Sequence, residues 1–457
     1  MKNQTTKRSS FSGKIGFVLS AAGASVGLGN IWRFPYLAAK YGGGIFLLVY
    51  IILAMTFGYT MIVAETSLGR MTGKSPVGAY KSFSDKPALR VGGWINAIIP
   101  ILIVPYYSVI GGWVIKYLVE YFRGNAKQLA EDGYFTDFIS NGVSTELCFM
   151  AFCAFTLIII FAGVQNGIER VSKIMMPILI VLSVIIAVYS VTRPGALAGV
   201  KYFLVPNVKN FSWMTVVSAM GQMFYSLSIA MGILITFGSY MKKDTAIEDS
   251  TRNVEVFDTG IAIMAGLMII PAVFAFSGGD PNTLQAGPSL MFITIPKVFQ
   301  NMGFGTVIGI VFFLLVLFAA VTSSIALTES AVSTFEDELG WGRKKATVLV
   351  GVIMLALGSL SSLGYGPLAG IKIIGMQFLD LFDFLTNSVM MPIAALLTSL
   401  LVSRVVGIDK IEDEIIHGES AFRRKKVFVV MIKYLCPVFA IIILLSSVAN
   451  ALGWIKM

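Results

Sequence analysis

The stretch Gly23-Ala24-Ser25-Val26-Gly27-Leu28-Gly29-Asn30-Ile31-Trp32-Arg33-Phe34-Pro35 decides how this chain folds. It lies inside an apolar run that begins near residue 14, yet it holds three glycines within seven residues, then an arginine and a proline. Each glycine inside a helix costs about 1 kcal/mol relative to alanine, so the run reads as a helix with a break in it. A second interrupted run holds Gly221-Gln222, Ser226-Leu227-Ser228 and Gly232. Small residues also let helices pack closely, which is the alternative for either run alone. Two interrupted apolar runs in corresponding halves of a chain point to a binding site at mid-membrane. Where a helix unwinds there, its carbonyls are free for a cation, and the amides that begin the next half-helix face an anion.

Working outward, long apolar runs recur along all 457 residues. The chain is 56% hydrophobic and 13% charged, whereas soluble domains carry about 25% charged residues. Backbone polar groups in lipid must be satisfied within a helix or a closed barrel, and these runs are too long and too uniformly apolar for barrel strands. The pattern predicts an all-α polytopic membrane protein with eleven spans, at about 14–38, 42–70, 91–122, 146–163, 167–192, 214–241, 255–277, 305–338, 343–362, 372–404 and 424–453. With the N-terminus inside, most of the 35 lysines and arginines fall on the inner face, including Arg343-Lys344-Lys345 and Arg423-Arg424-Lys425-Lys426. The positive-inside rule therefore predicts a cytoplasmic N-terminus and an outer C-terminus, in a cell (plasma or inner) membrane. The net charge of +10 is explained by a cytoplasmic face attracted to anionic lipid, with no nucleic-acid partner.

The first apolar run is too long for a secretory signal and is read as a retained span. Cys148, Cys153 and Cys436 all lie in apolar runs, so no disulfide framework is expected. Glu414 and His417 have the spacing of a metal pair on a helix, but on a charged loop they read as surface residues. Gly27 and Gly29 lack the third glycine, the preceding strand and the later acid of a dinucleotide loop. There is no nucleophile elbow and no metal-ligand cluster, so an enzyme is not expected. A channel would need a ring or filter.

Several motifs, in order, resemble those of the neurotransmitter:sodium symporter family, in its bacterial LeuT-like form. They are GASVGLGNIWRFP at Gly23–Pro35, YGGG at Tyr41–Gly44, GQMFYSLS at Gly221–Ser228, SYMKKD at Ser239–Asp244, TSSIAL at Thr322–Leu327 and FEDEL at Phe335–Leu339. The resemblance runs from about residue 8 to 453. It implies a LeuT-like fold in a single transporter domain, 1–457. Spans 1–5 (14–192) and 6–10 (214–404) would form 5+5 inverted repeats, with spans 1 and 6 unwound at mid-membrane and span 11 at 424–453. Many relatives have a twelfth span; both repeats are complete without it. The implied function is uptake of a small solute driven by inward sodium movement through alternating access.

Residue by residue, the resemblance implies one sodium site between spans 1 and 8, from Gly23, Val26, Ala319, Thr322 and Ser323. As a bare motif, such hydroxyls on a membrane helix more often bond back to their own helix. A second sodium site next to the substrate would use Ser25, Asn30, Ser226 and Asp258. Asp258 stands where several relatives have asparagine. It would supply the negative charge that chloride provides in other relatives through groups corresponding to Tyr50, Gln222 and Ser226, so chloride is not expected to be needed. Proton countertransport through Asp258 is a further expectation, and a capping or salt-bridge role near the end of span 7 is its alternative. Gly27 replaces the aspartate of monoamine carriers, so the substrate must bring its own carboxylate. Ser25, Leu28, Gly29, Ile103, Tyr107, Tyr225, Ser226, Ser228, Met231, Ser323 and Leu327 would surround a neutral, hydrophobic L-amino acid, with room for an aromatic one. Met231 is flexible and replaces a phenylalanine of the leucine carrier.

The outer gate would be Arg33 and Asp383, with Tyr107 and Tyr225 as a lid. The inner gate would be Arg8 and Asp337 beside Tyr240. Phe11 stands where relatives often have tryptophan, which is expected to loosen that anchor. Two Na⁺ ions and no organic cofactor are expected, with an amino acid and the bilayer as partners and a monomer or weak homodimer as the assembly. A sodium-dependent amino-acid receptor that does not transport would use the same pocket.

Overall fold

The structure, a computed structural model, describes residues 9–278, 287–451, 453 and 454. Nine helices among the described residues are long and apolar enough to cross a bilayer, and Lys14–Ser25 with Gly29–Lys40, bent by 53°, makes a tenth. Trp213–Ser226 and Ile233–Ser239, separated by 227–232, complete the expected eleven. The other spans are Gly44–Thr72 (span 2), Pro87–Phe122 (3), Gly142–Phe161 (4), Val164–Val191 (5), Ile247–Ser277 (7), Gly305–Leu339 (8), Arg343–Leu363 (9), Phe378–Val406 (10) and Lys425–Ala451 (11). Beyond two isolated bridges, Gly43 with Pro206 and Ile373 with Met376, the described residues are helices and connections.

Span 7 begins about two turns earlier than its apolar run. Its first turn carries Glu248 and Asp249, which suit the positive end of a helix, and the Glu419 side chain accepts the Asp249 amide at 3.1 Å. Polar sequence is therefore helical here because a neighbouring loop caps it.

Spans 3 and 8 pack along each other over much of their length. Spans 4, 5, 9 and 11 lie at the periphery, and they expose residues such as Ile158, Val181, Val352 and Leu445, as lipid-facing helices do. Span 2 meets the C-terminal half of span 6 through Gly69 and Gly238. A side-chain carbon on Gly69 would collide with the Ile235 carbonyl, and one on Gly238 with the Thr66 carbonyl. Small residues permit this backbone contact, which stands in for a hydrophobic driving force inside lipid.

Both breaks occur where glycines and small polar residues cluster. In span 1 the helix ends at Ser25, and Val26 turns to φ −77°, ψ 90°. In span 6 the capping box of Ser212 and Thr215 starts the N-terminal half. Beyond Ser226 the chain passes through Ser228 at φ 53° and Ala230 at φ 59°, then Gly232 at φ 70°. Left-handed conformation at non-glycine residues is unfavourable, so the surrounding fold imposes it.

Candidate transport site

The two breaks face each other, and between them lies a small cavity of about 20 Å³. Every residue expected to surround the substrate borders it except Ser226, and Ala24, Gly27 and Asn30 join the lining. The walls follow from the fold. Spans 1 and 6 contribute backbone-rich segments, while span 3 contributes Ile103 and Tyr107 and span 8 contributes Ser323 and Leu327. The Leu28 amide points at the Tyr107 hydroxyl, 3.3 Å away, and the Ser228 hydroxyl donates to the Ala24 carbonyl at 3.0 Å. A side-chain carbon on Gly27 would stand 2.7 Å from Ser323 Oγ and 3.1 Å from the Tyr107 oxygen. One on Gly29 would strike the Tyr225 ring. The glycines are thus needed for close approach, and the cavity wall contains no charged side chain.

Ser226 is outside the lining, and its hydroxyl bonds Asp258 at 2.8 Å and Tyr50 at 3.0 Å. Asp258 Oδ2 also accepts from the Tyr50 hydroxyl at 2.8 Å, and Oδ1 from Asn30 Nδ2 at 2.8 Å. The Asn30 oxygen accepts the Gly27 amide at 3.3 Å, which joins this cluster to the break in span 1. Gln222 Nε2 donates to the Gly29 carbonyl at 3.0 Å. Ser25 borders the cavity, but its hydroxyl bonds back to the Ala21 carbonyl at 3.0 Å. Asp258 has no exposed surface and lies well inside span 7, so the capping alternative is overturned. Its side-chain partners among the described residues are neutral.

Against span 8, Ser323 Oγ reaches the carbonyls of Gly23 at 3.3 Å and Ala24 at 3.1 Å. Thr322 bonds back to Phe318 at 3.0 Å and Ala319 at 3.2 Å. Gly23 packs on Thr322: an added carbon there would stand 3.1 Å from its Cβ. Val26 leaves the helix beside them. Gly23, Ala319, Thr322 and Ser323 therefore form one buried group of hard oxygens, the donor type that suits an alkali cation.

The outer pair is not formed as expected. Arg33 lies over the Tyr225 ring, 5.5 Å from its centroid, and Asp383 accepts instead from Asn387 at 2.5 Å and Tyr106 at 3.2 Å. Of the neighbouring tyrosines, Tyr107 faces the cavity and Tyr106 faces span 10. That division is set by helix rotation and not by residue type.

Of the expected inner gate, Arg8 lies outside the described residues. Asp337 accepts the Ser75 amide at 2.6 Å. Tyr240 donates to Glu329 at 2.7 Å, and Arg343 grips the same carboxylate at 3.0 and 2.6 Å. The sequence analysis missed Glu329, whose signal was an acid deep in the apolar span 8, seven residues before its acidic end. Phe11 is buried edge-on against Phe17, Phe237 and Tyr240, and its amide donates to Tyr240 at 3.0 Å. Three aromatic rings enclose the Phe11 ring.

Glu414 is bonded by Arg70 at 2.7 Å and Lys243 at 2.8 Å, while His417 Nδ1 sits on the Asp413 carbonyl at 2.6 Å. Glu414 is therefore not the surface loop residue expected: it is buried on the helix Ile408–Ile416 and paired with cations.

A model of the sodium:neurotransmitter symporter family matches residues 8–132 and 119–454. A protein of Bacillus subtilis described as the uncharacterized sodium-dependent transporter YhdH is 35% identical, over 95% of this chain and 96% of its own length. The human sodium- and chloride-dependent GABA transporter 2 is 26% identical, over 90% of this chain and 75% of its own. Among solved structures, that of MhsT in complex with L-phenylalanine has a TM-score of 0.86 and 34% identity, covering 96% of this chain and all of that one.

Proposed function

This chain belongs to the sodium:neurotransmitter symporter family, and from that premise we propose that it imports a neutral, hydrophobic L-amino acid together with two sodium ions, without chloride. It is a multi-pass membrane transporter and not an enzyme. In the proposed cycle, repeats 14–192 and 214–404 rock against each other around the cavity, with the N-terminus cytoplasmic and the C-terminus outside. The observation that carries the reading is Asp258, a wholly buried carboxylate whose side-chain donors are Asn30, Tyr50 and Ser226. A buried charge requires a counter-charge, and neutral donors leave that position to a mobile cation. The same carboxylate occupies the neighbourhood of Tyr50, Gln222 and Ser226, where it makes a bound anion redundant.

The second ion would sit with Gly23, Val26, Ala319, Thr322 and Ser323. The amides of Leu28 and Gly29 and the Tyr107 hydroxyl would hold the substrate carboxylate. Ile103, Tyr225, Met231 and Leu327 would enclose its side chain. Room for an aromatic side chain is supported by the likeness to a carrier solved with phenylalanine.

The test is uptake of radiolabelled tryptophan, leucine and alanine into proteoliposomes, with sodium or potassium outside and with chloride or gluconate. Concentrative uptake is expected with sodium only, alike in both anions. Sodium-dependent binding without accumulation would make the protein a receptor, and binding of none of the three would overturn the substrate class.

A further inference from the structure

Below Asp258, the base of spans 2 and 7 holds a second contact between a tyrosine and a carboxylate. Tyr59 donates to Glu248 Oε1 at 2.9 Å, two to three turns further along span 2 than Tyr50. Glu248, Glu255 and Asp258 are spaced by seven and three residues, which keeps them on one face of a helix. Tyr59, Glu248 and Glu255 are buried. Here the chain supplies the cation itself. Arg424, at the root of span 11, places Nη1 3.2 Å from Glu255 Oε2 and its guanidinium 4.6 Å from the Tyr59 ring centroid. The amides of Arg423 and Arg424 donate to Glu248 at 2.7 and 2.9 Å. Glu419, in the loop before span 11, returns the contact by capping the start of span 7 at the Asp249 amide.

Glu255 lies one turn from Asp258 on the same helix. An ion pair at that turn fixes the rotation of the next. Rotating span 7 would swing Asp258 away from Asn30, Tyr50 and Ser226, which come from three different spans. We propose that Arg424 and Glu255 are positioning residues for the sodium site: the root of span 11 sets the rotation of span 7 and so holds the Asp258 carboxylate toward the break in span 1. Span 11 lies outside both repeats, so this gives it a part in ion coupling. The proposal rests on the reading of Asp258 as a sodium ligand.

The experiment is sodium titration of substrate binding and uptake in proteoliposomes, for wild type, R424Q, E255Q, the double variant, R424K and D258N. R424Q and E255Q are each expected to raise the sodium half-saturation about fivefold, while substrate affinity at saturating sodium stays within about twofold. The double variant is expected to match the larger single effect, because a pair acting as one unit is not additive. R424K, which keeps the charge, is expected to recover most of the loss. Should R424Q fail to fold, E255Q carries the same expectation. Unchanged sodium half-saturation, or an equal loss of substrate affinity at saturating sodium, overturns the proposal. If D258N itself retains normal sodium dependence, the ion-site reading fails first. If D258N loses it while the Arg424 and Glu255 variants do not, only the positioning role fails.

Discussion

Two clusters on one face of span 7 use the same parts and differ in one. The upper cluster pairs Asp258 with Tyr50, Asn30 and Ser226; the lower pairs Glu248 and Glu255 with Tyr59 and Arg424. Each buries a carboxylate against a tyrosine of span 2. The lower one contains a resident guanidinium, while the upper one has neutral donors and opens onto the broken helix of span 1. A buried carboxylate with its own arginine is a fixed joint. Under the proposed function, the same carboxylate without one is where a mobile ion would bind. The contrast between the two clusters is the reason for placing that ion at Asp258.

The strongest attempt to break the comparison is D258N, which removes the upper charge and leaves its shape. Chloride-free uptake is expected to fall at least about tenfold, equal to ~1.4 kcal/mol, and added chloride to restore part of it. D258N uptake that is the same in chloride and gluconate would break the argument that Asp258 replaces an anion. G27A tests the cavity beside that cluster. A methyl pressed onto Ser323 and Tyr107 is an overpacking change of about 1–3 kcal/mol, so equilibrium binding at saturating sodium is expected to weaken on the order of tenfold. Unaltered binding would mean that the Leu28 amide and Tyr107 do not hold the substrate carboxylate. E248Q addresses the fixed joint. It weakens the acceptor of two amides and a tyrosine hydroxyl, and a charged acceptor of that kind contributes about 1–3 kcal/mol. The thermal midpoint in detergent is expected to drop by a few degrees, with substrate affinity retained in the folded fraction. The smallest effect is expected from R33K. A cation over an aromatic ring contributes about 0.5–1 kcal/mol when partly exposed, so apparent substrate affinity should change only two- to fivefold. Complete loss of uptake would show that Arg33 leaves Tyr225 for Asp383 during the cycle.

Much of this was legible in the residues. The breaks could be read because Gly23, Gly27 and Gly29 interrupt an apolar run that also holds Arg33, and because a like interruption recurs near Ser226. The cavity lining followed from family motifs on spans 1, 6 and 8 and from the resemblance carried over to span 3, and Asp258 stood out as an acid at membrane depth. What stayed hidden depends on side-chain direction. Tyr106 and Tyr107 are chemically alike, yet only helix rotation sends one to Asp383 and the other to the cavity. Ser226 was carried over as a cavity residue by the family resemblance, which does not say that its hydroxyl goes to Asp258. Arg424 read as one of four basic residues at a cytoplasmic boundary, since nothing in that run marks which one turns inward. Glu248 and Asp249 read as solvated loop because the glutamate that caps them lies far away in sequence, in the loop before span 11.

Ser228 and Ala230 carry a further consequence. Left-handed conformation costs an ordinary residue about 1–2 kcal/mol, so the middle of span 6 is held in a shape that its own residues disfavour. A continuous helix through this segment would be locally more comfortable and would erase the cavity wall. Selection for thermal robustness alone would therefore drift toward a straight span 6, in a protein that tolerates heat better and carries nothing. Natural variation at these two positions would then report on what the lineage has been selected to do.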